Sequence, residues 1–214
     1  MKNLWKRLMI PLLTLFAGTA LLACTALDGL PSFLTAASRT VEAAESLDDV
    51  ADSDLVDSRA TDLDVALPLS FELLEGDSLS PSEKIALLRS LRQEIRATHA
   101  SILLKRAEVR TAFTDLKTAV QAFREAGLVL TEEQKTRLGQ LREELSAISA
   151  DLRSSVGQAY RKMADLRGKY TIENLDLLLS VHREVAAELA MRLEKLDRIG
   201  EILAEVTLMV APGE

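Results

Sequence analysis

The chain has 214 residues, 33 acidic against 26 basic, with one cysteine, nine glycines and only 4% aromatic residues. So few aromatics and glycines, in a chain dominated by Leu, Ala, Glu and Arg, fit long helices rather than a β-sandwich or a nucleotide-binding sheet. One cysteine excludes an internal disulfide and a multi-thiolate metal site, and few aromatics together with a charge of only +1 over residues 79–214 argue against nucleic acid as a partner.

At the N-terminus Lys2, Lys6 and Arg7 precede an apolar or small run over residues 8–22. That run is shorter than the ~20 residues a membrane-spanning helix needs, and a positive end followed by a short apolar core is the order of an export signal. The run closes on Leu21-Leu22-Ala23-Cys24, which resembles the bacterial lipobox. The resemblance implies a diacylglyceryl group on Cys24, removal of residues 1–23 as a signal peptide, and a lipid anchor on the extracytoplasmic face of a bacterial membrane. Each buried methylene contributes about 0.8 kcal/mol, so two or more acyl chains hold a soluble domain firmly at a bilayer.

Residues 24–78 carry 13 acidic groups against Arg39 and Arg59, a charge of −11, whereas residues 79–214 sum to +1. A segment with so much charge and so little apolar content reads as an acidic flexible tether, with an end-to-end distance on the order of 40 Å that stands the folded part off the membrane. Within it, residues 31–47 can form a short amphipathic helix through Phe33, Leu34, Ala37 and Val41, and residues 65–74 are apolar enough to dock.

Residues 79–210 read as a helical bundle and 211–214 as a tail. In the first helix, over residues 81–126, Leu88, Ile95, Ile102, Val109, Leu116 and Phe123 recur at an interval of seven, one seam position of a heptad; Gly127 then ends the helix as a glycine cap does. The second helix, over 132–167, follows Leu138, Leu141, Leu145, Ile148, Leu152, Val156, Ala159, Met163 and Leu166, and Gly168 stops it. The third, capped by Thr171, has the seam Leu175, Leu178, His182, Val185, Leu189, then Leu193 or Leu196, Ile199, Leu203 and Val206. Short connections between long helices predict antiparallel neighbours, so the fold class is all-α: an elongated antiparallel three-helix bundle or coiled coil with a disordered N-terminal tether. Charges of +4 on the first helix and −4 on the third favour that pairing.

Each of the first two helices opens on a similar motif. Leu130-Thr131-Glu132-Glu133-Gln134, and more loosely Leu79-Ser80-Pro81-Ser82-Glu83, resemble the LTxxQ motif of the Spy/CpxP family of periplasmic stress proteins. The resemblance implies a small all-helical protein, commonly a dimer, that holds unfolded protein clients on a basic and apolar surface without ATP. The same residues are also capping boxes, Thr131 with Gln134 and Ser80 with Glu83, with Pro81 at the first helical position. Both readings predict a helix start there; only the first adds a function.

The two histidines, His99 and His182, sit in different helices without a metal-ligand pattern, and no glycine-framed nucleophile or phosphate loop is present. No enzyme, cofactor or metal is therefore expected. His182, at a seam position, is expected to be a hydrogen-bonded core residue. Arg89, Arg92 and Arg96 lie on adjoining turns of the first helix and form a candidate face for an anionic partner: a client chain, lipid headgroups or cell-wall polymer. The expectation is thus a membrane-anchored envelope lipoprotein that acts by binding, as a chaperone of the Spy/CpxP kind. The alternatives are a scaffold that spaces membrane and cell wall, or a bundle that binds an envelope partner protein such as a sensor.

Overall fold

The structure, a computed structural model, describes residues 29–45, 79–155, 157–166 and 168–211. Among them it contains five α-helices, a 3-10 turn at Ile172–Asn174 and no strand: α1 Leu30–Glu45, α2 Pro81–Glu125, α3 Glu132–Ser155, α4 Gln158–Ala164 and α5 Leu175–Val210. The all-α class is as expected, and the helices pack against one another. Cys24, the signal segment 1–23, the acidic run from Asp48 to Asp64 and residues 65–74 lie outside the described residues.

Cross-helix contacts define the directions. Lys84 pairs with Asp176 and Lys105 with Asp197, so α2 and α5 run parallel. Arg137 with Glu205, Glu144 with Arg198, Asp151 with Lys195 and Lys162 with Glu184 set α3 and α4 antiparallel to α5. The expected up-down-up order is present. At about 1.5 Å per residue the 45 residues of α2 make a rod of roughly 68 Å.

The sequence pattern located the core well. All six heptad residues of the first helix are buried, from Leu116 at 0% exposed to Ile95 at 5%. On α5 the alternative between Leu193 and Leu196 is settled for Leu196, fully buried while Leu193 is half-buried. On α3 the buried position expected at Ile148 belongs to Ser149, with Ile148 packed on the rim.

Three features depart from the expected plan. First, the helical unit begins at Leu30, upstream of the boundary expected at 79. α1 buries Leu30, Phe33, Ala37, Thr40, Val41, Ala43 and Ala44, so residues 30–45 are a fourth bundle helix and not a tether. α1 follows the direction of α3, where Thr40 Oγ1 donates to the Leu145 carbonyl across 3.2 Å. Its start needs a glycine: Gly29 has φ +99°, and a Cβ there would stand 3.2 Å from Leu138 Cδ2.

Second, α2 and α3 are consecutive but not side by side. α1 and α5 flank both, and residues of α2 and α3 belong to one buried cluster. A short connection constrains direction, whereas the neighbours are chosen by which apolar stripes complement each other.

Third, the expected second helix is broken after Ser155. Gly157 takes φ +72° before α4 begins. The carbonyls freed at the end of α3 are met by side chains: Gln158 Nε2 donates to Ser154 O at 2.5 Å, and Arg192 Nη2 donates to Ser155 O. Arg192 is itself neutralised by Glu188 at 2.6 Å, with both side chains less than a tenth exposed. The third helix likewise starts later than expected: Thr171 opens the 3-10 turn without a side-chain cap, and α5 begins after Asn174.

Candidate binding face

α2 contributes both to the core and to a long exposed face. Its seam turns inward, so positions on the opposite side of the wheel point to solvent: Ala97, Ala100, Leu104, Ala107, Thr111, Thr114 and Thr118, all exposed. Their spacing alternates between three and four, a stripe along one side of a helix. The threonines do not make it polar. Thr111, Thr114 and Thr118 donate their hydroxyls to the carbonyls four residues back, at 3.1, 3.0 and 3.2 Å, and with the hydroxyl bonded inward the outer surface is mainly methyl. Leu103 and Leu104, 44% and 70% exposed, sit at its middle.

A row of cations borders this stripe on the α1 side. Arg89, Arg96, Arg110, Lys117 and Arg124 recur at multiples of seven residues, with Leu103 completing the repeat. Seven residues advance about 10.5 Å along a helix, so the row runs for roughly 52 Å. Glu94, Glu108 and Asp115 line the other border. The face is thus uncharged along its centre and oppositely charged along its two edges.

The arginine face read from adjoining turns is therefore partly redrawn. Arg89 and Arg96 are exposed and belong to the row. Arg92 is half-buried and turned toward α5, 5.3 Å from the centroid of the Tyr170 ring, with Nε 3.5 Å from His182 Nε2. Lys117 and Arg124 were not singled out in sequence, although the seven-residue interval that revealed the core would have found them. Arg110 also bonds Glu45 Oε1 at 2.7 Å, which places the end of α1 beside the row.

His182 lies in the core at 0% exposed. Its Nδ1 is 2.7 Å from the Leu178 carbonyl, which assigns the proton to that nitrogen and leaves Nε2 as an acceptor toward Arg92. Burial pushes its pKa down to about 4; the Leu178 bond opposes this and the neighbouring Arg92 charge adds to it. At neutral pH the imidazole is uncharged.

Both LTxxQ-like motifs form complete capping boxes. The Thr131 amide donates to Gln134 Oε1 at 2.9 Å and the Gln134 amide to Thr131 Oγ1 at 3.2 Å. The Ser80 amide donates to Glu83 Oε2 at 2.8 Å and the Glu83 amide to Ser80 Oγ at 3.3 Å; the Ser80 bonds hold the Glu83 pKa below the usual carboxylate range. The motifs differ in their leucines, with Leu130 buried at 4% and Leu79 exposed at 46%. Gln134 does more than cap: its Nε2 donates to the Met209 carbonyl at 3.3 Å and ties the head of α3 to the end of α5. The two motifs sit at opposite ends of α2 and do not combine into one site.

At the end of the bundle where α2 begins, Leu79, Lys84, Asp176, Leu179, Ser180, Arg183 and Glu184 line an open groove of about 510 Å³. Among the described residues no group of three or more His, Cys, Asp or Glu could hold a metal ion, and no helix is long and apolar enough to cross a membrane. Compared with known proteins, the chain matches no family model, no curated protein and no solved structure.

Proposed function

We propose that the chain is an exported bacterial lipoprotein, acylated at Cys24, whose bundle acts by binding extended or helical protein segments along the outer face of α2. The observation that carries this reading is the composition of that face: a methyl-rich strip centred on Leu103 and Leu104 beside the row Arg89, Arg96, Arg110, Lys117 and Arg124. Apolar contact supplies non-directional affinity, and a row of cations adds long-range attraction for an acidic chain. Binding without a shaped pocket suits a partner of variable sequence, which is what an ATP-independent chaperone of the Spy/CpxP kind requires. The LTxxQ resemblance supports that specific form, although the capping geometry alone accounts for its residues. The membrane is a partner through the anchor, and the cell envelope is the proposed location.

The test is suppression of aggregation of a chemically unfolded client by the mature chain. Leu104→Glu and Arg96→Glu should each weaken suppression several-fold while the melting temperature stays put, because both side chains are exposed. Unchanged suppression in the double variant would reject this face.

A scaffold role is the second reading. It is favoured by the ladder of cross-helix ion pairs, two of them bidentate, Arg137 with Glu205 and Arg198 with Glu144. These hold Glu205 and Glu144 below the usual carboxylate range and stiffen a rod of this length. A mature chain that suppresses no aggregation but crosslinks to cell-wall material would favour it.

A further inference from the structure

The end of the bundle opposite the open groove gathers the start of α1, the α2–α3 connection and the end of α5. Gly29 packs on Leu138 of α3, and Gln134 reaches Met209 of α5. Three of the large apolar side chains left exposed by the fold sit here: Leu128 at 39%, Val129 at 57% and Leu208 at 77%. The backbone holds the first two outward. Gly127, at φ +64°, closes α2 in a Schellman turn in which the Leu128 amide donates to the Phe123 carbonyl at 3.2 Å. Around them, among the described residues, the tip is uncharged, with Ala126, Gly127 and Ala211; Arg124, Glu125, Glu132, Glu133 and Lys135 form a mixed-charge collar one turn below.

We infer that this tip is a membrane-contacting surface: Leu128, Val129 and Leu208 rest in the headgroup region of the bilayer that anchors Cys24. The inference depends on acylation of Cys24, as proposed above. Chain length carries the rest of the argument. Cys24 precedes Gly29 by five residues, which span at most about 18 Å. Gly29 lies level with Leu138, seven residues or roughly 10 Å along α3 from its cap, Thr131. An anchor at Cys24 therefore extends only roughly 8 Å beyond the tip, so the tip stays at the membrane surface. The expected stand-off of the folded part is lost once residues 30–45 belong to the bundle. Contact through the flank is disfavoured because the exposed side of α1 carries Arg39 and Glu42. The collar holds three carboxylates against two cations, so the contact is apolar and suits a zwitterionic surface. Such side chains partition into the interface to a depth of about 5 to 10 Å.

The test uses the full mature chain, purified from bacterial membranes and reconstituted in phosphatidylcholine vesicles with brominated acyl chains. Acylation leaves no other thiol in the chain, so Ala126→Cys, Ala211→Cys and, at the far end, Ser180→Cys can each carry one fluorophore. Quenching at positions 126 and 211 should exceed that at 180 several-fold, and adding Val129→Asp with Leu208→Asp should bring it down to the level at 180. Mass spectrometry of the N-terminal peptide reports acylation separately. Equal quenching at all three positions in an acylated protein overturns the inference and leaves the lipoprotein reading intact. An unmodified Cys24 with no quenching overturns both.

Discussion

Arg106 Nη2 donates to the main-chain carbonyl of Glu45 at 2.8 Å. A guanidinium only 7% exposed on α2 thereby closes the last turn of α1, where the carbonyls are unpaired and the helix dipole favours a cation. The neighbouring Arg110 holds the Glu45 carboxylate at 2.7 Å. These contacts hold the last turn of α1 against α2.

If α1 is a bundle helix, its core residues contribute as core residues do. Phe33→Ala, which empties a fully buried site, should lower the unfolding free energy by about 3 to 5 kcal/mol, and Arg106→Ala by about 1.5 to 3 kcal/mol through loss of a charge-assisted bond. Urea unfolding followed by circular dichroism measures both. A loss below about 0.5 kcal/mol for Phe33→Ala would mean that residues 30–45 do not pack in solution.

The break between α3 and α4 depends on the buried pair of Glu188 and Arg192. Beyond their mutual bond, Glu188 Oε2 and Arg192 Nε find no partner among the described residues, so the pair is costly to bury and more costly to split. Arg192→Met should destabilise the bundle by about 3 to 5 kcal/mol, because it strands a buried carboxylate. The double replacement Glu188→Leu, Arg192→Met should recover most of that loss. Thermal unfolding of the three proteins decides it; a double variant as unstable as the single one would contradict the argument.

Thr131→Ala removes one of the paired bonds at the head of α3 and should cost about 0.5 to 2 kcal/mol. Gln134→Ala should cost at least as much, since it also releases Met209. A loss of client binding in Thr131→Ala with unchanged melting temperature would instead assign the motif a direct role in binding.

His182 makes stability depend on pH. Its folded pKa of about 4 lies below the ordinary value of 6.5, so between those limits the unfolded chain takes up a proton that the folded chain refuses. Stability is full above about pH 6.5 and falls as the pH drops toward 4, by about 1.4 kcal/mol per pH unit and about 3 kcal/mol in all. His182→Leu should flatten the decline between pH 7 and 5, a window above most carboxylate titrations. An unchanged slope in that variant would place the effect on other groups.

The periodic signal was strong wherever the information is local. The heptad of α2, the glycine stop at Gly127 and both capping boxes are properties of a few consecutive residues, and each was legible before any tertiary contact was known. The apolar pattern of α1 was legible too, through Phe33, Leu34, Ala37 and Val41, but a short amphipathic helix is marginal alone. Whether it folds depends on a groove between α2 and α3 that exists only in the assembled bundle.

What the sequence by itself determined, then, is that this chain is all-α, where its long helices lie, and which side of each is apolar, because helical periodicity is written in spacing. Only the tertiary structure decided which helices are neighbours, that Arg92 turns toward His182 while Arg96 stays in solvent, and that α3 ends at Ser155. Those outcomes rest on pairings between residues tens of positions apart, such as Arg192 with Ser155 and Arg106 with Glu45. Their energies arise from burial and charge compensation in a low-dielectric interior, conditions that no stretch of unfolded chain provides.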